Sequence, residues 1–390
     1  MIKQQVYSHP AALPEKRRDP RAFLTVAVTL VIGDRIVRGT ECRNISLSGM
    51  LIRVSEKLDK ETEAVVTLTK RCEDQFFSFA ADCRVSRFEE SEKGSYVGVV
   101  YTGMSPRDKQ NLHQIVDFQF SLMYKERLFF DEDRLKGITF KIADTKEELE
   151  QSFRLLHDMY VRERFIEPHP SGMRISLYNA APFTVVMVGK KENEVVLTTT
   201  LYVDSFLGIP AENTFREEIG LLRAQGRYIA EVGSLAARTD IRNTDQTIQL
   251  YLQKMILLYA LKYLKLDDMV ITVVKKHQLY YRYIHLLDSI GEPRHYENAN
   301  NTVVTPLRQN LENIEQRYRK AYHYLPPEKK LDRFLFEEDS TCISLPEEKA
   351  PVRVWDTQLA EYFFCKSTDI FADRESKKVS RIRSYYHLQG

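Results

Sequence analysis

Tryptophan occurs once and cysteine only five times in 390 residues, and no apolar run approaches the length of a membrane span. Each scarcity excludes a class. Cys42, Cys72, Cys83, Cys342 and Cys365 are odd in number and show no CxxC or Cys/His spacing. Neither a disulfide scaffold nor a metal site is expected from them, and a reducing compartment fits. The apolar runs at 23–32 and 255–261 fall far short of the ~20 residues that cross a bilayer. The start, MIKQQVYSHPAALPEKRRDPR, lacks the apolar core of a secretory signal, so a cytoplasmic location is expected. An excess of one charge is missing too: 57 Lys and Arg stand against 55 Asp and Glu, a net +2. Proteins that hold DNA or RNA by bulk charge usually show a strong basic excess, so neither is an expected partner.

What is present is ordinary globular material, 43% hydrophobic and 29% charged. The length allows two to three domains at ~150 residues each. Charge is uneven: residues 1–43 hold eight basic and four acidic side chains, with Arg17, Arg18 and Arg21 crowded together. From 23 to about 101, β-branched and aromatic runs recur between turn signals: FLTVAVTLVI, GMLIRV, EAVVTLT, FFSFAADCRV and YVGVVY. That spacing predicts a small β-barrel or sandwich, with hairpin tips at Gly33-Asp34 and Lys93-Gly94. PRDKQNLHQIVDFQFSLMY closes the unit as a helix.

Arg17–Arg21 carries RxxxR, and Asn44–Gly49 carries NxSxxG, 23 positions beyond Arg21. With these motifs residues 14–120 resemble a PilZ domain, the bacterial receptor module for cyclic di-GMP. The chemistry suits such a ligand. A guanidinium fork can donate two bonds to the O6/N7 edge of guanine, and it stacks on planar rings and pairs with phosphate. The resemblance implies Arg17, Arg21, Asn44, Ser46 and Gly49 as ligand residues, with Arg18 and Arg43 as phosphate contacts. The bland alternative is a basic linker beside an ordinary Asn/Ser/Gly turn.

Residues 123–137 read as a linker between a first domain, 1–122, and a second, 138–310. The second follows the order β-α-β-β-α-β-α-β-α-β, which is α/β in class, and it resembles the GNAT acyltransferase fold. More closely, DSFLGIPAENTFREEIGLLRAQGRYIAEVGSLA (204–236) and VVKKHQLYYRYIHLLDSIG (273–291) resemble the N-acyl amino acid synthases, relatives of the acyl-homoserine-lactone synthases. RTDIRNTDQT (238–247) has no glycine, whereas ordinary acetyltransferases resemble one another in a Gly-rich pyrophosphate loop at this place. An acyl carrier protein is therefore the expected donor, with acyl-CoA the alternative. Lys275, Lys276, Arg282 and Arg294 are candidates for its acidic surface, though a solvated surface charge is the plainer reading of any one of them.

Amide formation needs a neutral amine, so a carboxylate must take its proton, and donors must hold the oxyanion. Glu231, in AEVGSLA, resembles the strand glutamate of the related synthases and is the candidate base or amine-orienting group. Ser234 is a hydrogen-bond donor beside it. Arg223 and Arg238 flank the strand and are the candidates for the amino acid's carboxylate; a surface ion pair is the plainer reading of either. His169 and His277 read as loop or packed histidines. No covalent cofactor and no metal are implied. Residues 311–390 form a partly helical extension without a catalytic motif. Its basic, aromatic end is either a solvated surface or a contact for carrier protein or anionic lipid at the inner membrane face. The expectation is a cyclic di-GMP-responsive N-acyl amino acid synthase. Its rivals are an acyltransferase of another donor or amine, and a non-catalytic effector that binds a lipid or protein partner.

Overall fold

A computed structural model of the chain describes residues 19–37, 40–92, 94–242, 247–296, 299–347, 352, 354–373 and 375–388. Arg17 and Arg18 lie outside the described residues. The chain divides into two compact units between Arg127 and Leu128, within the stretch expected to be linker.

The first unit comprises β1 (Ala22–Ile32), β2 (Arg35–Val37), β3 (Glu41–Ile45), β4 (Gly49–Val54), β5 (Glu63–Cys72), β6 (Gln75–Ser91), β7 (Gly94–Gly103) and α1 (Pro106–Lys125). Alternation in β1 turns Ala22, Leu24, Val28 and Leu30 inward. The antiparallel order β1-β3-β4-β7-β6-β5 closes when β5 pairs back to β1, a barrel of six strands with β2 outside the ring. Closure removes the free edges that an open sheet would expose. ECRNI offers too little apolar alternation to read as a strand, yet it is β3, held between β1 and β4. Ser105 caps α1 by accepting from the Asp108 N–H, and Leu112, Ile115, Val116 and Phe120 are its buried apolar positions.

The second unit opens with β8 (Ile138–Ile142), α2 (Lys146–Arg162), β9 (Val185–Lys191), β10 (Glu194–Val203) and α3 (Arg216–Ala224). Next come β11 (Ile229–Ala237), α4 (Thr239–Arg242), α5 (Thr247–Tyr259), β12 (Asp268–Val274) and α6 (Lys275–His285). Short β13 (Asp288–Ser289) and β14 (Arg294–Tyr296) precede β15 (Thr302–Asn310). The extension adds α7 (Ile314–Tyr322), α8 (Leu331–Phe336), α9 (Thr357–Glu361) and α10 (Lys377–Tyr385). Eight strands form one sheet, ordered β13-β15-β12-β11-β10-β9-β8 with β14 also on β15.

One pairing in this sheet is incomplete. β11 and β12 run parallel through only three pairs, Ile229–Asp268, Ala230–Met269 and Glu231–Val270. β12 then stays with β15 along its whole length while β11 stays with β10, so the sheet splits past Glu231. The closed end is fastened by charge. Asp268 is fully buried and accepts from Arg227 and from Arg308 Nε at 2.7 Å. Arg227 also donates to the Asp267 carbonyl and to Asn310 Oδ1, both at 3.0 Å. Removing one member of a buried ion cluster leaves its partners uncompensated and typically costs about 3–5 kcal/mol.

Asp268→Ala should therefore lower the urea midpoint strongly, by about 3 kcal/mol in unfolding free energy. Glu312, 67% exposed with its carboxylate 4.0 Å from Arg227, is the control. Its alanine variant should shift stability by less than about 1 kcal/mol, and equal effects would count against the clamp.

Candidate functional site

The split holds a cavity of about 360 Å³. Side chains alternate across a strand, and that alternation shows where the cavity runs. Ile229 packs with Ile209, Ala211, Ile219, Leu222 and Val270 on the α3 face of the sheet, so Glu231, two residues on, shares that face. Val232 packs with Ile271, Val273, Leu287 and Leu307 on the other. Glu231, Ile271, Val273 and Leu287 all line the cavity. The space therefore passes through the sheet between the parted strands.

Its two arms differ in chemistry. Arg174, Ser176, Tyr178 and Asn179 line the cavity together with Pro210. Tyr178 Oη donates to Asn213 Oδ1 at 2.8 Å, which ties this wall to the turn beneath α3. Tyr202 lies directly opposite Glu231 in the β10–β11 ladder. The far arm is lined by Met269, Ile271, Val273, Leu287 and Tyr281, and α5 contributes Leu252 and Ile256.

Glu231 stands where the arms meet. It is 2% exposed, and its Oε2 accepts from the Ala211 N–H at 2.6 Å. Burial pushes its carboxyl up to about 8, opposed by that single N–H. Such a group changes protonation near neutrality, as a proton acceptor should. Burial likewise raises the Tyr160 and Tyr202 phenols, so both stay protonated as donors. Tyr202 Oη and Ser234 Oγ are 2.6 Å apart. Ser234 adopts φ +53°, a left-handed conformation that costs a non-glycine residue energy and clusters at functional sites. Beyond Glu231 the edge of β11 toward β12 has left the ladder, and backbone N–H groups there can face an oxyanion.

The structure gathers some expected residues and disperses others. Glu231, Ser234, Lys276 and His277 line the cavity. Lys275 and Arg282 are exposed on α6, seven residues apart and so on one helix face. Arg294 is drawn inward to Glu218 (Nη1–Oε2 3.1 Å) and to the Thr214 carbonyl. Arg223 and Arg238 are not among the cavity-lining residues. Arg223 forks onto Asp204 and Glu212 at 2.7–2.8 Å, and Arg238 onto Asp240 and Glu194. His169 is engaged in its own loop, with Nδ1 2.8 Å from Ser171 Oγ. The cation the sequence reading passed over is Arg174, in an irregular segment with no motif around it. Tyr202 was recoverable in principle, by aligning β10 against β11. Among the described residues no cluster of three His, Cys, Asp or Glu could hold a metal.

In the barrel, Asn44, Ser46 and Gly49 meet at the β3–β4 turn. Arg21 Nη1 donates to Asn44 Oδ1 at 3.2 Å. Ser46 is buried, and its hydroxyl donates to the Gly49 carbonyl at 3.0 Å. A Cβ at Gly49 would sit 2.2 Å from the Val99 carbonyl oxygen, so only glycine lets β4 approach β7. Arg43 is exposed, 3.5 Å from Glu41. One outward row crosses five strands through the register pairs Phe23–Asn44, Asn44–Leu51, Leu51–Gly98 and Gly98–Arg87. Phe23 in that row is 62% exposed.

Residues 151–308 match the family model of the N-acyl amino acid synthase FeeM, and residues 15–118 that of the PilZ domain. The chain is an N-acyltransferase that carries a PilZ domain. Among solved structures it is similar to FeeM, an N-acyl amino acid synthase from uncultured soil microbes, at 18% identity over 46% of this chain and 93% of that one, TM-score 0.42. The acyl-homoserine-lactone synthase LasI aligns at 17% identity over 45% and 90%, TM-score 0.36. The PilZ domain of CeSA from a cellulose-synthesizing bacterium aligns at 16% over 25% and 94%, TM-score 0.20. No curated protein matches the chain. Among the described residues no helix is long and apolar enough to cross a membrane.

The raised Glu231 carboxyl has a consequence for the acyltransferase domain's stability. A carboxyl near 4.5 when unfolded and about 8 when folded contributes stability that is full below 4.5 and lost as pH rises through 8. Relative to Glu231→Gln, wild type should weaken progressively across that window, read as the difference in urea midpoints at pH 5, 7 and 9. A gap that stays constant with pH would show the carboxyl to be unperturbed.

Proposed function

We propose that the chain transfers a fatty acyl group from acyl carrier protein to the α-amine of an amino acid, and that cyclic di-GMP controls the transfer through the PilZ domain. The observation that carries the reading is Glu231. It is a buried carboxyl near neutrality at the junction of a polar and an apolar arm. The acyl chain occupies the apolar arm and the amino acid the polar one, so thioester and amine meet in the gap between β11 and β12. Glu231 takes one proton from the ammonium, directly or through a water. The freed nitrogen attacks the thioester carbon, and backbone N–H groups along the parted edge of β11, with Ser234 or Tyr202, hold the oxyanion. Collapse expels the thiolate, which receives the second proton released by the nitrogen.

Arg174 is assigned the acceptor's carboxylate because it lines the polar arm, and Arg223 and Arg238 are not among the cavity-lining residues. The carrier reading is supported by Lys275 and Arg282 on the exposed face of α6 and by Lys276 at the cavity wall. Cyclic di-GMP is assigned to Arg21, Asn44 and the turn built by Ser46 and Gly49, with Arg43 beside them and Arg17 and Arg18 preceding. Control requires that the ligand bind two states of the chain unequally.

With acyl carrier protein and a mixture of amino acids, kcat/KM should rise with pH toward a limb near 8. Glu231→Gln should lower it by ~10²-fold and abolish that limb; an active variant with the limb intact would remove Glu231 from the mechanism. Acylation should also change on adding cyclic di-GMP, and Arg21→Ala should lose the change while keeping the basal rate. An undiminished response in that variant would place control elsewhere.

A further inference from the structure

We propose that the apolar arm contains a hydroxyl-recognising seat, formed by His285 and Gln309, that selects an acyl chain carrying a hydroxyl group along its length. The inference rests on the reading of this arm as the acyl site.

His285 ends α6, and Gln309 lies on β15 opposite Met269 of β12. Both line the cavity, at 2% and 1% exposure. They touch, since Gln309 Nε2 donates to the His285 carbonyl at 2.5 Å and approaches Tyr318 Oη at 3.0 Å. The first contact fixes the amide's orientation, because a carbonyl can only accept and must meet the NH2 end. Gln309 Oε1 is then an acceptor, and it has no hydrogen-bond partner. His285 Nδ1 has none either. Burial lowers the imidazole to about 3, so the ring is neutral, and in its Nδ1–H tautomer this atom is a donor.

Native folds leave few buried polar atoms unsatisfied, and each such atom asks for a reason. Here two occur on residues joined by that bond, in the wall of the arm that Ile271, Val273 and Leu287 also line. Together they present one acceptor and one donor. A hydroxyl satisfies both, accepting from Nδ1–H and donating to Oε1. A ketone answers only the donor and a methylene neither. β15 is the second strand from β11, ~10 Å away at the usual strand spacing. The recognised hydroxyl therefore sits many bonds beyond the thioester carbon.

Calorimetry on the full chain decides the seat without turnover. Hexadecanoic acid is compared with hexadecanoic acids hydroxylated at successive mid-chain positions. One isomer should bind at least about tenfold more tightly than the unsubstituted acid, because a site built to hydrogen-bond a hydroxyl penalises its loss. His285→Phe should erase that preference while leaving hexadecanoic acid bound as before, and Gln309→Leu should do the same where it folds. If no isomer outbinds hexadecanoic acid in wild type, the seat is overturned. A preference that survives His285→Phe unchanged overturns it as well. Carrier-linked forms of the same chains then report on transfer separately. Selective binding without acylation of any amino acid would sink the proposed reaction and leave the seat standing.

Discussion

The parting of β11 from β12 after three pairs is the constraint on which the transferase unit depends. Strands paired at the usual ~4.8 Å spacing leave no passage from one face of a sheet to the other. Here the ladder stops at Glu231–Val270 because each strand keeps a different partner, β10 for one and β15 for the other. A split of this kind would propagate if the closed end were weak. Asp268 prevents that, since two arginines from outside β12 converge on one buried carboxylate at the first pair. The charge cluster contributes no chemistry of its own. It sets where the opening begins, and so which residue stands at its threshold.

The threshold position explains the electrostatics of Glu231. One register step earlier a side chain would lie wholly within the paired sheet, and one step later it would point to the apolar face. At the last pair it faces the α3 side yet borders the gap, which is why it is buried and still reaches the cavity. A single N–H from Ala211 is too little to offset the loss of water. Contrast Glu148, also largely buried. Burial opposes its ionisation, but the Lys190 and Lys141 ammoniums and the Asp144 N–H hold it down at about 2. Both carboxyls lose water; the number of donors decides which is poised to take a proton.

Much of this was legible in the sequence where local pattern governs. The barrel's strands other than β2 and β3, its closing helix and the order of the longer elements of the second unit followed from alternation and helical spacing, and AEVGSLA placed Glu231 on a central strand. What was not legible depends on long-range register. Arg223 and Arg238 flank that strand, and an ion pair was the plainer reading of each, but the carboxylates that claim them, Asp204, Glu212, Glu194 and Asp240, come to them only through folding. Arg174 stands in a segment with neither period, so no pattern marked it. His285 and Gln309 are 24 residues apart, and only the pairing of β15 with β12 brings them to one wall. Gly49 closes the NxSxxG motif, and what demands a glycine there is the carbonyl of Val99 on a strand 50 residues further on.

The extension beyond β15 gains a physical rationale from the same geometry. The polar wall of the cavity comes from residues 174–179 and from the turn at 210–213, both outside the sheet and without its ladder to hold them. The tail supplies fastenings at their borders. Tyr386 Oη donates to the Ala180 carbonyl at 2.9 Å, and Lys378 Nζ to the Leu207 carbonyl at 3.0 Å. Those anchors are in turn fixed by packing, because Trp355 stacks on Phe153 of α2 at 6.3 Å and Phe363 meets Phe153 edge-on at 5.5 Å, while Phe364 lies 4.7 Å from Trp355. Catalysis by positioning loses steeply with small misplacements of the reacting groups. A wall made of irregular chain needs such bracing from elsewhere, and an aromatic cluster joined to two hydrogen-bonded struts provides it without placing any residue of its own at the reacting atoms.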